Sequence, residues 1–323
     1  MSLSQTKTAS NETPRQNLLL VANQGDRSMS LVEPEAGIQV GKVKTNGVCA
    51  HEVAVSPDRR VAYLPIYGNS GVGKPGTNGG PVEIVDLDRQ AVMDSIDLGP
   101  VRPHWVKFGL DGMLYVSAEL DKAIHIVDPR LQKTVGSIPT GQPESHMVVM
   151  SHDGSRAYTA NVGAGTVSVV DVATRRLLKI IPVAERVQRI SMSIDGQFVF
   201  TADQKKPRLA IIDTATNEIC GWIALPVVGY GTTPTLDGKW LLATMQTTDQ
   251  VAVVDLAQMQ VSRTIPVAAD PVQILVRPDR PVAYVSCTGD GKVAAINLET
   301  WRVEKLIETG PGADGLAWLG KRP

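Results

Sequence analysis

Short apolar runs of four to seven residues, rich in Val, Ile, Thr and Tyr, alternate with turn residues along almost the whole chain. One stretch shows the pattern well: Met147 to Met150, Ala157 to Ala160, Thr166 to Val170 and Leu177 to Val183 are four such runs, separated by Gly, Asp, Asn and Ser. Runs this short and this rich in β-branched residues predict strands. No segment keeps a 3.6-residue period over three turns, so the pattern predicts an all-β protein.

The pattern also repeats. His104-Trp-Val-Lys-Phe-Gly-Leu-Asp111, His146-Met-Val-Val-Met-Ser-His-Asp153, Gln188-Arg-Ile-Ser-Met-Ser-Ile-Asp195, Tyr230-Gly-Thr-Thr-Pro-Thr-Leu-Asp237, Val272-Gln-Ile-Leu-Val-Arg-Pro-Asp279 and the partial Asp314-Gly-Leu-Ala-Trp-Leu-Gly follow one another at steps of 42 residues. An earlier copy, His51-Glu-Val-Ala-Val-Ser-Pro-Asp58, precedes them by 53. Four strands per unit at this period predict the blades of a β-propeller. Leu18 to Ala22, Met29 to Val32 and Ile38 to Val43 supply three strands of a blade whose first strand is missing at the N-terminus; Gly315 to Leu319 is the candidate for it. The expectation is a seven-bladed β-propeller of four-stranded blades. A composite blade from both termini would close the ring and remove exposed sheet edges. Residues 1–16 are expected to form a disordered tail, and 17–323 a single domain.

Between first and second runs lies a Ser-x-Asp-Gly turn (Ser151 to Gly154, Ser193 to Gly196, with Thr235 to Gly238 as its variant), and an Asp closes the third run (Asp86, Asp128, Asp171, Asp213, Asp255). Both sets read as side-chain caps on turn backbone. Ala157-Tyr-Thr-Ala-Asn161 followed by Gly165-Thr-Val-Ser-Val-Val-Asp171, together with Ile138-Pro-Thr-Gly, Ile180-Ile-Pro-Val and Ile265-Pro-Val, resembles the YVTN family of seven-bladed propellers, including the YncE-like proteins. The resemblance runs from about Asn17 onward and implies the fold. It leaves function open, since such proteins include binding and surface proteins.

A formal net charge of −1 argues against a broad basic footprint for nucleic acid. No apolar run approaches the roughly 20 residues of a membrane span. Three cysteines, Cys49, Cys220 and Cys287, without a C-x-x-C, suggest neither a disulfide framework nor a thiolate zinc site. Met1 to Gln16 has no apolar leader core, which makes a cytoplasmic location the default; a periplasmic or exported location follows if a native leader has been removed.

Three of the five histidines, His51, His104 and His146, occupy one repeat position, where the first strand of three successive blades begins. Similar propellers usually carry small residues there, so this chain departs from the pattern. The position continues round the ring as Gln188, Tyr230, Val272 and Asp314. Three converging imidazoles can bind one divalent transition metal ion (Zn, Cu, Ni or Fe) with an open position for water or substrate. A metal-free site for a small polar or anionic ligand fits the same residues, with Arg102, Gln188, Arg189, Tyr230 and Lys74 as candidate contacts. The bland alternative is a polar, water-filled funnel. If chemistry occurs, a metal-assisted lyase or hydrolase is the expected class, with Glu52 or Asp314 as base. No G-x-S-x-G elbow or Cys–His pairing is evident, which disfavours a covalent hydrolase. The competing function is a non-catalytic protein-interaction or surface scaffold, with a protein partner on a propeller face.

The extra residues of the first step fall in Tyr67 to Gly80, which holds six glycines. Gly68 to Lys74 fits the opening of a P-loop, but Pro75 stands where Ser or Thr should bind Mg²⁺, and a strand follows where a helix is needed. The segment is expected to join strands two and three on the histidine face as a mobile lid, with Lys74 or Asn69 touching ligand.

Overall fold

The computed structural model describes residues 17–320 apart from Ser70. The tail assigned to residues 1–16 lies outside the described residues. Seven antiparallel sheets of four strands each follow one another along the chain. Their innermost strands are Ala54–Val55, Pro103–Phe108, Ser145–Met150, Ile190–Met192, Thr232–Pro234, Pro271–Val276 and Ala313–Leu319. Each touches the next, all the way round a ring. Ala313–Leu319 pairs antiparallel with Leu18–Asn23, so the two ends of the chain share one sheet, numbered blade 1 below; blades 2 to 7 follow in chain order.

The middle strands of a blade are covered on both faces by neighbouring blades, which is why they read as unbroken apolar runs rather than alternating ones. Ala157, Tyr158, Thr159 and Ala160 are all buried, as are Val167 to Val170. The outermost strands face solvent and bury one residue fully: Val43, Ile96, Ile138, Ile181, Ile223, Ile265 and Ile307 recur at the sixth position. In three blades that buried residue, Ile138, Ile181 or Ile265, is the Ile of an Ile-Pro motif. At about 25 cal/mol per Å² of apolar surface, each contributes roughly 2 kcal/mol and pins the outer strand's register.

The turn residues do what their chemistry suggests. Ser151 Oγ donates to Asp153 Oδ1 at 2.6 Å, the Ser155 amide donates to the same oxygen at 3.0 Å, and Gly154 takes φ 71°. Asp171 accepts from the Thr174 amide at 2.7 Å, closing the third-strand turn. Asn161 lies under the end of blade 4, where its amide donates to Thr166 and Ser168 and its oxygen accepts from Ser145.

One irregularity recurs where the inner strands begin. The pairing of inner strand with second strand slips between Pro103 and Val106, between Ser145 and Met147, and between Pro271 and Ile274. In blade 1 it slips between residues paired to Ala313 and Leu316. Such bulges leave residues unpaired and turn their side chains out of the pleat. The residues released are His104 with Trp105, His146, Val272 with Gln273, and Asp314 with Gly315, so the bulges gather polar side chains at one end of the central channel.

Candidate functional site

Buried polar side chains from several blades meet at that end of the channel. Arg189 of blade 5 reaches across the axis: Nη1 donates to Glu52 Oε1 at 3.0 Å and Nη2 to Asp314 Oδ1 at 2.6 Å. All three side chains are buried. Gly231 beside the arginine packs against the next blade, since a Cβ there would stand 2.2 Å from the Val272 carbonyl oxygen. Gln273 donates to the other oxygen of Glu52 at 3.1 Å, Gln24 donates to Asp314 Oδ2, and the Arg189 guanidinium lies 5.5 Å from the Tyr230 ring centroid.

Beside this bridge the three histidines stack. The ring centroids of His51 and His104 are 4.6 Å apart, and those of His104 and His146 3.5 Å, with interplanar angles of 33° and 36°. Tyr67 meets all three edge-on, at 5.0, 5.7 and 6.4 Å. The sequence position is shared, as expected, but the rings lie face toward face instead of aiming their nitrogens at one point. His104 and His146 lie within inner strands; His51 precedes the short strand Ala54–Val55.

The outer two rings have both nitrogens engaged. His51 Nδ1 is 3.0 Å from Asp314 Oδ2 and Nε2 is 3.3 Å from Cys49 Sγ. Burial pulls the His51 imidazole down, but the hydrogen bonds to Asp314 and Cys49 outweigh it and the balance is a rise to about 10. His51 is therefore an imidazolium that donates from both nitrogens. His146 Nδ1 lies 2.5 Å from Glu119 Oε1, and the Gln188 amide donates to Nε2 at 3.1 Å. Burial lowers His146 despite Glu119, so the ring is neutral, with its proton on Nδ1 and its lone pair on Nε2. Between them His104 is held well below the usual histidine range by burial and then by its neighbour His146, and its Nδ1 is buried without a partner. Among the described residues no group of three or more His, Cys, Asp or Glu is arranged to hold a metal ion.

The two candidate bases differ. Burial raises Glu52 to about 7 against the pull of Arg189, whereas Asp314 is also lifted by burial but is held below the ordinary carboxylate range by Arg189 and His51. Only Glu52 is poised to exchange a proton near neutral pH.

Arg102 lies at the border of the stack, its guanidinium carbon 6.0 Å from the Tyr67 ring centroid. The Arg102 guanidinium donates to Asn78 Oδ1 at 2.7 Å and to the Lys74 carbonyl at 3.0 Å, tying down the inserted segment, and the Lys74 side chain is exposed. Asn69 accepts from the Thr77 amide at 2.6 Å. Gly68 and Asn78 form an isolated bridge, so the insertion folds as a small hairpin. A Cβ on Gly73 would stand 2.4 Å from Glu144 Oε1, which places the hairpin over the start of blade 4, on the histidine side.

Two participants escaped the sequence reading. Glu119 occupies the repeat position of Asn161, and its carboxylate accepts from Tyr67 Oη at 2.7 Å as well as from His146. A carboxylate where another blade has the YVTN asparagine was the available signal. The second is Cys49, which corrects the expectation that no Cys–His pairing exists. Cys49 lies two residues before His51, and its left-handed φ of 64° goes with a side chain whose sulfur meets the far nitrogen of that ring.

The fold and this polar plug define a seven-bladed propeller with a candidate site at one channel end. The chain belongs to the YNCE-like beta-propeller family, whose model matches residues 101–323. No curated protein matches it. Among solved structures it is similar to Kuenenia stuttgartiensis hydrazine synthase, at TM-score 0.75 and 19% identity over 87% of this chain and 92% of that one. It is also similar to the dihydro-heme d1 dehydrogenase NirN in complex with DHE, at TM-score 0.71 and 13% identity over 98% of this chain and 78% of that one. At such identities the likeness carries the fold alone. No helix among the described residues is long and apolar enough to cross a membrane.

Proposed function

We propose that this propeller binds a small polar ligand at the histidine end of its channel, without a metal. The observation that carries the reading is His104. A neutral imidazole buried in a polar cluster with Nδ1 unpartnered forfeits about 1–3 kcal/mol relative to a satisfied one, and a ligand atom bonded there would restore it. A fixed framework surrounds it: Tyr67 is locked by Glu119, Arg189 by two carboxylates, and Arg102 holds the hairpin beside the mouth. Such pre-set polar groups favour a ligand small enough to enter between them.

A transition metal held by the three histidines is the weaker reading. It would require Gln188 to leave His146 Nε2, and His51 to give up a proton that Asp314 and Cys49 stabilise. Thermal-shift screening against a panel of small carboxylates, amides and sugars tests the proposal, with His104→Phe as the reference. Phenylalanine fills the space without the nitrogen. The wild type should gain stability with at least one compound class, and His104→Phe should not. Stoichiometric zinc, copper, nickel or iron in protein purified without a histidine tag, lost in His104→Phe, would replace this reading with the metal one.

A further inference from the structure

The contact between Cys49 and His51 joins three groups in series: Cys49 Sγ is 3.3 Å from His51 Nε2, and His51 Nδ1 is 3.0 Å from Asp314 Oδ2. A nucleophile within reach of an imidazole whose far nitrogen is fixed by a carboxylate is the general arrangement of an activated nucleophile. Asp314 is itself immobilised by Arg189 and Gln24, so the imidazole cannot swing away. The backbone is fixed too, because the Cys49 carbonyl accepts from the Tyr67 amide at 3.0 Å. We propose that Cys49 is a nucleophilic site, set up by His51 and oriented through Asp314, that reacts with small hydroperoxides.

Three features select that class of reactant. The residue is only partly exposed, which limits the reactant's size. A sulfur attacks as its thiolate, and the His51 ring nitrogen stands 3.3 Å from it. The leaving oxygen of a peroxide needs one proton, and His51 Nε2 can deliver it where the sulfur attacks. The thiolate takes the distal oxygen, the S–O bond forms as the O–O bond breaks, and the departing alkoxide or hydroxide takes the proton from His51. The products are a Cys49 sulfenic acid, oxidised by two electrons, an alcohol or water, and neutral His51. Cys220 and Cys287 are free and lie in blades 5 and 7, so the chain carries its own reference thiols.

The proposal shares His51 with the ligand site but does not depend on that reading. Full-length protein is exposed to hydrogen peroxide, sulfenic acids are trapped with dimedone, and the peptides bearing Cys49 and the exposed Cys220 are followed by mass spectrometry in one digest. Cys49 should label at least about tenfold faster than Cys220. His51→Gln should remove about a hundredfold of the Cys49 rate while leaving Cys220 unchanged. Asp314→Ala should slow Cys49 similarly, and Asp314→Asn, which still accepts from Nδ1, should recover part of the loss. Equal labelling of Cys49 and Cys220 in the wild type would overturn the proposal whatever the variants do, and so would an unchanged Cys49 rate in folded His51→Gln.

Discussion

Replacing Arg189 with Leu strips the channel of the cation that holds two buried carboxylates. The Arg189, Glu52 and Asp314 side chains are 5%, 5% and 2% exposed, so both carboxylates lie away from bulk water. Removing one partner of such a group costs about 3–5 kcal/mol. Unfolding entropy of about 2.1 cal/mol/K per residue gives about 0.7 kcal/mol/K for a chain of this length, and the melting temperature should fall by roughly 4–7 °C. The loss should depend on pH. Glu52 already titrates near 7 in the fold, above its ordinary 4.5, so the native state holds more protons than the unfolded state between these values, and stability falls as pH rises through that window. Without Arg189 the carboxyl rises further and the window extends upward. The deficit relative to wild type should therefore be smallest near pH 5 and grow toward pH 8. Differential scanning calorimetry of both proteins across this range measures it. A deficit independent of pH, or none, would refute the view that Arg189 exists to neutralise a buried carboxylate pair.

The His51–Asp314 pair gives a second pH signature: its contribution is complete below about 6.5 and is lost as pH rises through about 10, so urea midpoints should decline across that interval, and less steeply in Asp314→Asn. Asn161→Ala leaves the hydroxyls of Ser145, Thr166 and Ser168 short of a partner and should cost about 1–3 kcal/mol by urea denaturation, without changing ligand shifts or Cys49 labelling. Ending the chain at Gly312 removes Ala313–Leu319, bares an edge of Leu18–Asn23 and deletes Asp314; insolubility or loss of a cooperative melt is expected, and a truncated chain that melts like the full one would show that this strand is dispensable.

The architecture was legible because a propeller writes its geometry into period. Each blade needs the same four strands, the same Asp and Gly turns and the same buried residue at the sixth position of its outer strand, so Ile138, Ile181 and Ile265 announce themselves in Ile-Pro motifs. The shared position of His51, His104 and His146 was equally visible, since one repeat position maps to one place on each blade. Period says nothing about how neighbouring side chains point. The bulges at Pro103–Val106 and Ser145–Met147 turn the rings into a stack, and no local pattern marks a bulge made by tertiary pairing. Glu119, Gln273 and the span of Arg189 to Glu52 and Asp314 depend on blades far apart in sequence meeting at one axis. The protonation states follow from the same meeting. Glu52 and Asp314 are both carboxylates in the sequence, and only burial together with the placement of Arg189 and His51 drives one up and the other down.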